Sequence, residues 1–375
     1  MRPFRIDIPQ PEIDDLRHRL DTTRWPDAGP VGDWSHGLPL DLMRDLTREW
    51  AHGHDWRTTQ DRLNRIPQFT HEGIHFLHVR SARADATPLV LTHGWPGSFL
   101  EFESVIQPLT QGEPAFDVVV PSLPGYGFSA AHPWDVHEIA DAWAALMATL
   151  GYPEFVAAGS DWGTSISTCI GMQHPERTFG LHLVPPLAAP RPGPWSPQEQ
   201  RAQDELRERA STASAYSVVH QTRPQTIGYA LADSPAALLA WIGEKLLTWG
   251  DGPQALSKEQ IFDNLSLYWF TRTGASSARL YARSIDEIGR WFTDPEVLPT
   301  LDVPVGATVF AREVPRPSRR WAEKPYRHLV HWGEPERGGH FGAWEQPAVF
   351  TQELRKSLQG MKKARGRDVS RSPGR

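Results

Sequence analysis

Three short patterns along the chain hold residue types that could do chemistry. The first, His71-Glu72-Gly73-Ile74-His75, spells H-E-x-x-H, which binds zinc when both histidines share one face of a helix. Here Gly73 interrupts the run and the flanking FTHEGIHFLHVR alternates with period two. A strand is therefore expected, and residues four apart along a strand are about 13 Å from each other, too far to share an ion. The second, Gly125-Tyr126-Gly127-Phe128-Ser129-Ala130, fits the loose dinucleotide fingerprint and follows a strand. A helix must start at once to point its N-terminus at a pyrophosphate, and Pro133 breaks that start. A shaped loop lining a pocket is the expected role, with neither a metal nor a cofactor in the protein.

The third pattern has the context it needs. Gly159-Ser160-Asp161-Trp162-Gly163 lies between the strand-like Phe155 to Ala158 and a helix from Thr164. A sharp strand–turn–helix bend forces its central residue out at the sheet edge and needs small residues two positions to either side. Centring the bend on Asp161 puts Gly159 and Gly163 there, whereas centring it on Ser160 would put Ala158 and bulky Trp162 there. Asp161 is the expected nucleophile.

Such a bend needs backbone donors for an oxyanion. The strand Leu89 to Thr92 leads into His93-Gly94-Trp95-Pro96-Gly97-Ser98, which makes the amides of Trp95 and Trp162 the expected pair. A cis bond at Pro96 would suit so tight a turn, and His93 is expected to hold the loop by hydrogen bonds. Sixteen histidines are too many to choose a base by type. His340 is singled out because Arg337-Gly338-Gly339-His340-Phe341 follows the last expected strand. Its orienting carboxylate should follow the strand before that one, which points to Glu313, with Glu334 and Glu336 as weaker choices.

An aspartate nucleophile is ionised at neutral pH and suits displacement at an sp³ carbon, giving an alkyl ester that a base-activated water hydrolyses. Epoxides and alkyl halides, the latter including haloalkanes and haloacids, both fit. An epoxide oxygen needs a proton donor, which tyrosine can supply; a halide does not. Four of the seven tyrosines, Tyr216, Tyr229, Tyr268 and Tyr281, fall in one helical stretch, and composition does not choose among them.

The elements that must hold these residues fit a chain of 375 residues with a net charge of −6 and one cysteine. One cysteine excludes an internal disulfide or a cysteine-based zinc site; Cys169 is expected to be packed behind the bend. Mild acidity argues against nucleic acid and anionic membranes as partners. With no apolar run of 18 residues and no signal-peptide pattern, a soluble cytoplasmic protein is expected, and a homo-oligomer is compatible with the composition. Residues 1–87 read as a lead-in segment outside a regular sheet, and 88–185 as alternating buried strands and helices, hence a mostly parallel sheet with helices on both faces. Residues 186–301 read as a helical lid inserted over the sheet's carboxyl edge and 302–360 as the rest of the core. Residues 361–375, MKKARGRDVSRSPGR, read as a disordered basic tail. Lid tryptophans such as Trp241, Trp249, Trp269 and Trp291 suggest an apolar and bulky substrate.

Over roughly residues 4–358 the chain resembles the epoxide hydrolases of the α/β-hydrolase fold, specifically the microsomal type and its soluble bacterial relatives. FRIDIPQPEIDDLRHRL and TTRWPD are similar to that family's N-terminal segment, and HGWPGS, GSDWG and RGGHFGAWEQP to its oxyanion, nucleophile and histidine motifs. Ala215-Tyr216-Ser217 and Ala278-Arg279-Leu280-Tyr281 match the positions of its two ring-opening tyrosines, and Phe310-Ala311-Arg312-Glu313 its acid. The resemblance implies hydrolysis of an epoxide to a vicinal diol without a cofactor. Tyr216 and Tyr281 would protonate the ring oxygen while Asp161 attacks, and His340 with Glu313 would then hydrolyse the ester. Membrane-anchored members carry a hydrophobic N-terminal anchor; none is read in FRIDIPQPEIDDLRHRL, so a soluble member is expected. A haloalkane or haloacid dehalogenase using the same aspartate, or a non-catalytic scaffold binding a ligand, are the competing readings; detoxification and natural-product biosynthesis are equally open as roles.

Overall fold

A computed structural model describes residues 1–371. Nine strands form one sheet: β1 Arg2–Phe4, β2 Gln68–His71, β3 Ile74–Val79, β4 Thr87–Thr92, β5 Phe116–Pro121, β6 Phe155–Ser160, β7 Thr178–Val184, β8 Leu301–Thr308 and β9 Tyr326–Gly333. Their order across the sheet is β1-β2-β3-β5-β4-β6-β7-β8-β9. β5 through β9 pair in parallel, whereas β1, β2 and β3 run antiparallel to their neighbours up to the β3–β5 pair. The central strands are continuous apolar runs because helices cover both faces: Leu89, Val118, Val119, Val156 and Leu181 are completely buried.

The first 87 residues are not outside the sheet. They supply its three antiparallel strands together with α1 Gln10–Asp21, α2 Leu40–His52 and α3 Trp56–Leu63. The three-residue β1 is too short to show periodicity; it is held by pairing with β2, and the chain just beyond it by Ile6 N–H donating to Asn64 Oδ1 at 2.8 Å. The H-E-x-x-H run is a hairpin rather than one strand. Glu72 and Gly73, at φ 48° and 80°, form its two-residue turn, and His71 pairs with Ile74. Buried His75 is bonded to Ser122 Oγ and Gln68 Oε1. Among the described residues no cluster of potential metal ligands occurs, and no helix is long and apolar enough to cross a membrane.

The core helices are α4 Glu103–Gln111, α5 Val136–Thr149 and α6 Trp162–Gln173. No helix follows the Gly125–Ala130 loop until α5, whose start is fixed by a capping box of Asp135 and Glu138. The loop does not line the cavity described below; it ties the lid to the core, with Tyr126 OH donating to Ser277 O and Ser276 Oγ donating to Gly125 O.

Between β7 and β8 the chain runs through helices only: α7 Pro197–Thr212, α8 Ala215–Thr222, α9 Pro224–Asp233, α10 Pro235–Leu238, α11 Glu244–Thr248, α12 Lys258–Phe270, α13 Gly274–Ser277 and α14 Arg279–Thr293. A π-helical turn, Leu239–Gly243, joins α10 to α11. Helix α12 is buried along most of its length and grips the N-terminal segment. Asp263 accepts from Thr59 Oγ1 at 2.5 Å and Arg62 Nη2 at 2.6 Å and is bonded to His54 Nε2 at 2.8 Å, while Trp50 Nε1 donates to Ser266 Oγ at 2.8 Å.

After the short α15 Arg319–Ala322 and α16 Gly342–Glu345, the last helix, α17, runs Pro347–Arg371. The expected disordered tail is thus helical over 361–371, and only 372–375 lie outside the described residues. Charge composition misleads here because the helix packs on the sheet and one of its basic residues, Arg365, has partners there. Met361 is buried against Gly180 of β7. Arg365 donates to Thr178 O at 3.3 Å, lies 4.5 Å over the Phe179 ring and pairs with Glu154.

Candidate active site

The turn between β6 and α6 places Asp161 at φ 52°, ψ −121°, a conformation that costs a non-glycine residue about 1–3 kcal/mol. The flanking glycines allow the chain to close on itself there: a Cβ on Gly159 would lie 2.4 Å from the Gly163 carbonyl carbon, and one on Gly163 would lie 1.9 Å from Thr92 O. Ser160 stays buried at the end of β6, its Oγ donating to Glu101 Oε2 at 3.3 Å.

The loop after β4 lies against this bend. Trp95 N–H donates to Asp161 Oδ1 at 2.8 Å, and the Trp95–Pro96 bond is cis. Lid helix α12 fixes the loop from the far side, Asn264 Nδ2 donating to Pro96 O at 2.8 Å and Tyr268 OH to Gly97 O at 2.9 Å. Buried His93 accepts from the Leu123 amide at Nε2, which sets the tautomer that donates from Nδ1 to Gly94 O. Burial holds its pKa down at about 4, so it stays neutral.

His340 reaches back from its glycine-flanked loop, with Nε2 3.6 Å from Asp161 Oδ2 and Nδ1 3.0 Å from Glu313 Oε1. The same Glu313 oxygen accepts from the Val314 amide. Glu334 and Glu336 are exposed on the surface. Burial lowers the basicity of His340, but the charge and hydrogen bond of Glu313, and then the charge of Asp161, outweigh it and raise its pKa to about 9. Burial raises the Asp161 pKa, opposed by the His340 charge and by the amides of Trp95 and Trp162.

Of the four lid tyrosines, two meet Asp161 across a cavity of about 250 Å³. Tyr216 of α8 stacks on Trp95 with centroids 4.9 Å apart, and Tyr281 of α14 stands edge-on to Trp162 at 4.8 Å. The two phenol rings are 5.9 Å apart. Burial, reinforced by nearby Asp161, raises both phenol pKa values, so both hydroxyls keep their protons. Tyr268 is committed to the oxyanion loop, and Tyr229 is 69% exposed. The cavity therefore holds a carboxylate, an imidazole–carboxylate pair, two proton-donating phenols and aimed backbone amides, a set able to displace at carbon, protonate the leaving oxygen and hydrolyse an ester.

Sequence reasoning missed Glu101, which lies just beyond the oxyanion loop and is 3% exposed. Nothing in the local pattern FLEF distinguishes it from a helix-start acid. Burial, with the negative charge of Asp161 adding to it and the charge of His340 opposing, raises its pKa to about 8. A carboxyl whose pKa is raised on folding holds a proton that the unfolded chain releases above about pH 4.3, so its contribution to stability falls as pH rises from there to about 8. Glu101→Gln should therefore gain melting temperature relative to the parent as pH rises from 5 to 8. A difference in Tm that stays flat across that range would show Glu101 to be ionised in the fold.

A family model described as epoxide hydrolase N terminus matches residues 1–102, and one described as alpha/beta hydrolase fold matches residues 87–272. A Stigmatella aurantiaca protein provisionally named an epoxide hydrolase is 45% identical, the alignment covering 96% of this chain and 85% of that one. Epoxide hydrolase 1 of Sus scrofa is 32% identical over 96% of this chain and 88% of its own. The solved structure of the Aspergillus niger epoxide hydrolase superposes with a TM-score of 0.88 at 31% identity, covering 96% of each chain.

Proposed function

The chain belongs to the epoxide hydrolase family of the α/β-hydrolase fold, and from that premise we propose that it converts an epoxide to a vicinal diol through a covalent ester on Asp161. The observation that carries this route is the shared cavity of Asp161, His340, Tyr216 and Tyr281. Asp161 Oδ1 is held by the Trp95 amide, which leaves Oδ2 free to attack a ring carbon. As the carbon–oxygen bond of the ring breaks, one of the two tyrosines gives its proton to the departing oxygen, leaving a phenolate and a hydroxyalkyl ester.

Ester formation removes the negative charge of Asp161, one of the influences that keep His340 protonated. The imidazolium is then more acidic and returns a proton to the phenolate. Neutral His340, oriented by Glu313, takes a proton from water as its oxygen attacks the ester carbonyl carbon. The amides of Trp95 and Trp162 stabilise the resulting oxyanion. Collapse expels the alkoxide, which takes the remaining proton of the attacking water from the new Asp161 carboxyl, so the diol leaves and the Asp161 carboxylate and protonated His340 are restored. The reaction uses water and a free small molecule, needs neither metal nor nucleic acid, and is proposed to run in the cytoplasm.

A single turnover with enzyme in excess in ¹⁸O-labelled water tests the route. The new hydroxyl of the first diol comes from Asp161, so that diol is unlabelled and the label stays in the Asp161 carboxylate. A labelled diol in the first turnover would mean direct attack by water and would end the ester proposal.

A further inference from the structure

Apart from the reacting groups, the cavity wall carries one charged side chain among the described residues, Arg209 of α7. Most of the rest is apolar, formed by residues such as Leu187, Leu206, Ile285, Ile288, Phe292 and Pro315. The Arg209 guanidinium carbon lies 4.7 Å over the ring of Trp249. Trp249 in turn packs edge-on against His340 at 5.0 Å and tilted against Tyr216 at 5.3 Å. The cation is thus held by an aromatic face that is itself part of the reaction chamber. Its charge reaches both functional groups, where it weakly opposes the rise in pKa of Tyr216 and of His340.

Acidic neighbours do not claim it. On α7, Glu199 pairs with Arg320, Asp204 with Arg207 and Glu205 with Arg316. Among the described residues Arg209 forms neither an ion pair nor a side-chain hydrogen bond. A half-buried guanidinium without a partner, opening onto an apolar chamber, has its donor fork available for a planar anion. The chamber is also small beside the 300–1,000 Å³ of common ligand pockets, which favours a compact molecule.

The geometry points to an epoxide carrying a carboxylate as the preferred substrate class, with Arg209 binding the carboxylate while the oxirane lies between Asp161 and the tyrosine pair. This assignment rests on the epoxide-opening reading above. The competing role for Arg209 is to offset the negative charge of Asp161 and Glu313, which would affect charged and neutral substrates alike.

The test compares kcat/KM for a short epoxy-carboxylate and for its primary amide in the parent, Arg209→Gln and Arg209→Lys proteins, with Tm measured for each. The parent should favour the acid by about tenfold to a hundredfold, the range expected of a charge-assisted contact. Arg209→Gln should remove most of that ratio, Arg209→Lys should keep part of it, and added salt should weaken it. A parent ratio near one, a ratio unchanged in Arg209→Gln, or turnover of neutral epoxides only would overturn the carboxylate assignment and leave the epoxide reading standing. Failure to open either compound or a simple aryl epoxide would instead overturn the epoxide reading itself.

Discussion

Mixed with an epoxide, the His340→Gln variant gains the mass of one substrate molecule at Asp161 and goes no further. The two halves of the proposed reaction make different demands on the protein, and only the second needs a base. Asp161 is already a carboxylate, its Oδ1 held by the Trp95 amide, so alkylation proceeds without His340. Glutamine keeps approximate shape and polarity but cannot take a proton from water. Steady-state turnover should fall by about 10²- to 10⁴-fold, the usual range for loss of a general base, while intact-protein mass spectrometry finds the adduct. The parent should show an imidazole titrating near pH 9, and Glu313→Gln should move it down, because Glu313 supplies the strongest of the influences raising it. An inactive His340→Gln protein that never becomes modified would argue that Asp161 is not the nucleophile.

The second large effect concerns bond breaking. An alkoxide expelled from an epoxide without a proton is a poor leaving group, and Tyr216 and Tyr281 line the same cavity as Asp161. Burial raises the pKa of both phenols, so both keep their protons at neutral pH. Replacing either with phenylalanine leaves one donor and should slow ring opening by about 10²-fold, whereas the double replacement should reduce it by 10⁴-fold or more. Pre-steady-state adduct formation is the measurement, because it isolates the alkylation step. If the double variant still opens epoxides at the parent rate, or if the parent releases halide from haloalkanes faster than it forms diol, the chemistry is that of a dehalogenase.

How legible these parts were depends on what fixes each of them. The bend at Asp161 announces itself because steric exclusion leaves only glycine at positions 159 and 163. The parallel strands are readable because burial on both faces makes them uniformly apolar. Placement after the last two expected strands leads to His340 and Glu313, since loops at the ends of successive strands must converge on one edge. β1 is invisible, being three residues whose only signal is the edge they pair with. The turn at Glu72-Gly73 was hidden because period-two alternation continues through a tight hairpin. The terminal basic run misleads because solubility and helix formation are not exclusive when Met361 and Arg365 find β7 beneath them. Choosing Tyr216 and Tyr281 over Tyr229 and Tyr268 took family resemblance, because only the fold determines which helix faces the nucleophile. Glu101 and Arg209 were missed for the same reason: an acid or a base has no pattern until a cavity gives it neighbours.

The clasp made by helix α12 also bears on how the enzyme comes off the ribosome. The oxyanion loop around Trp95 emerges early, but Asn264 and Tyr268, which bind its carbonyls, follow about 170 residues later. At ordinary synthesis speeds that is a delay on the order of ten to thirty seconds. Throughout it the N-terminal segment also waits for Asp263 and Ser266, the partners of Arg62 and Trp50. The growing chain therefore carries Asp161, the proposed nucleophile, for seconds before the loop whose Trp95 amide bonds to it is locked in place. A nascent chain ending anywhere before α12 should be inert toward epoxides, so that reactive substrates meet a competent carboxylate only once the lid has been made.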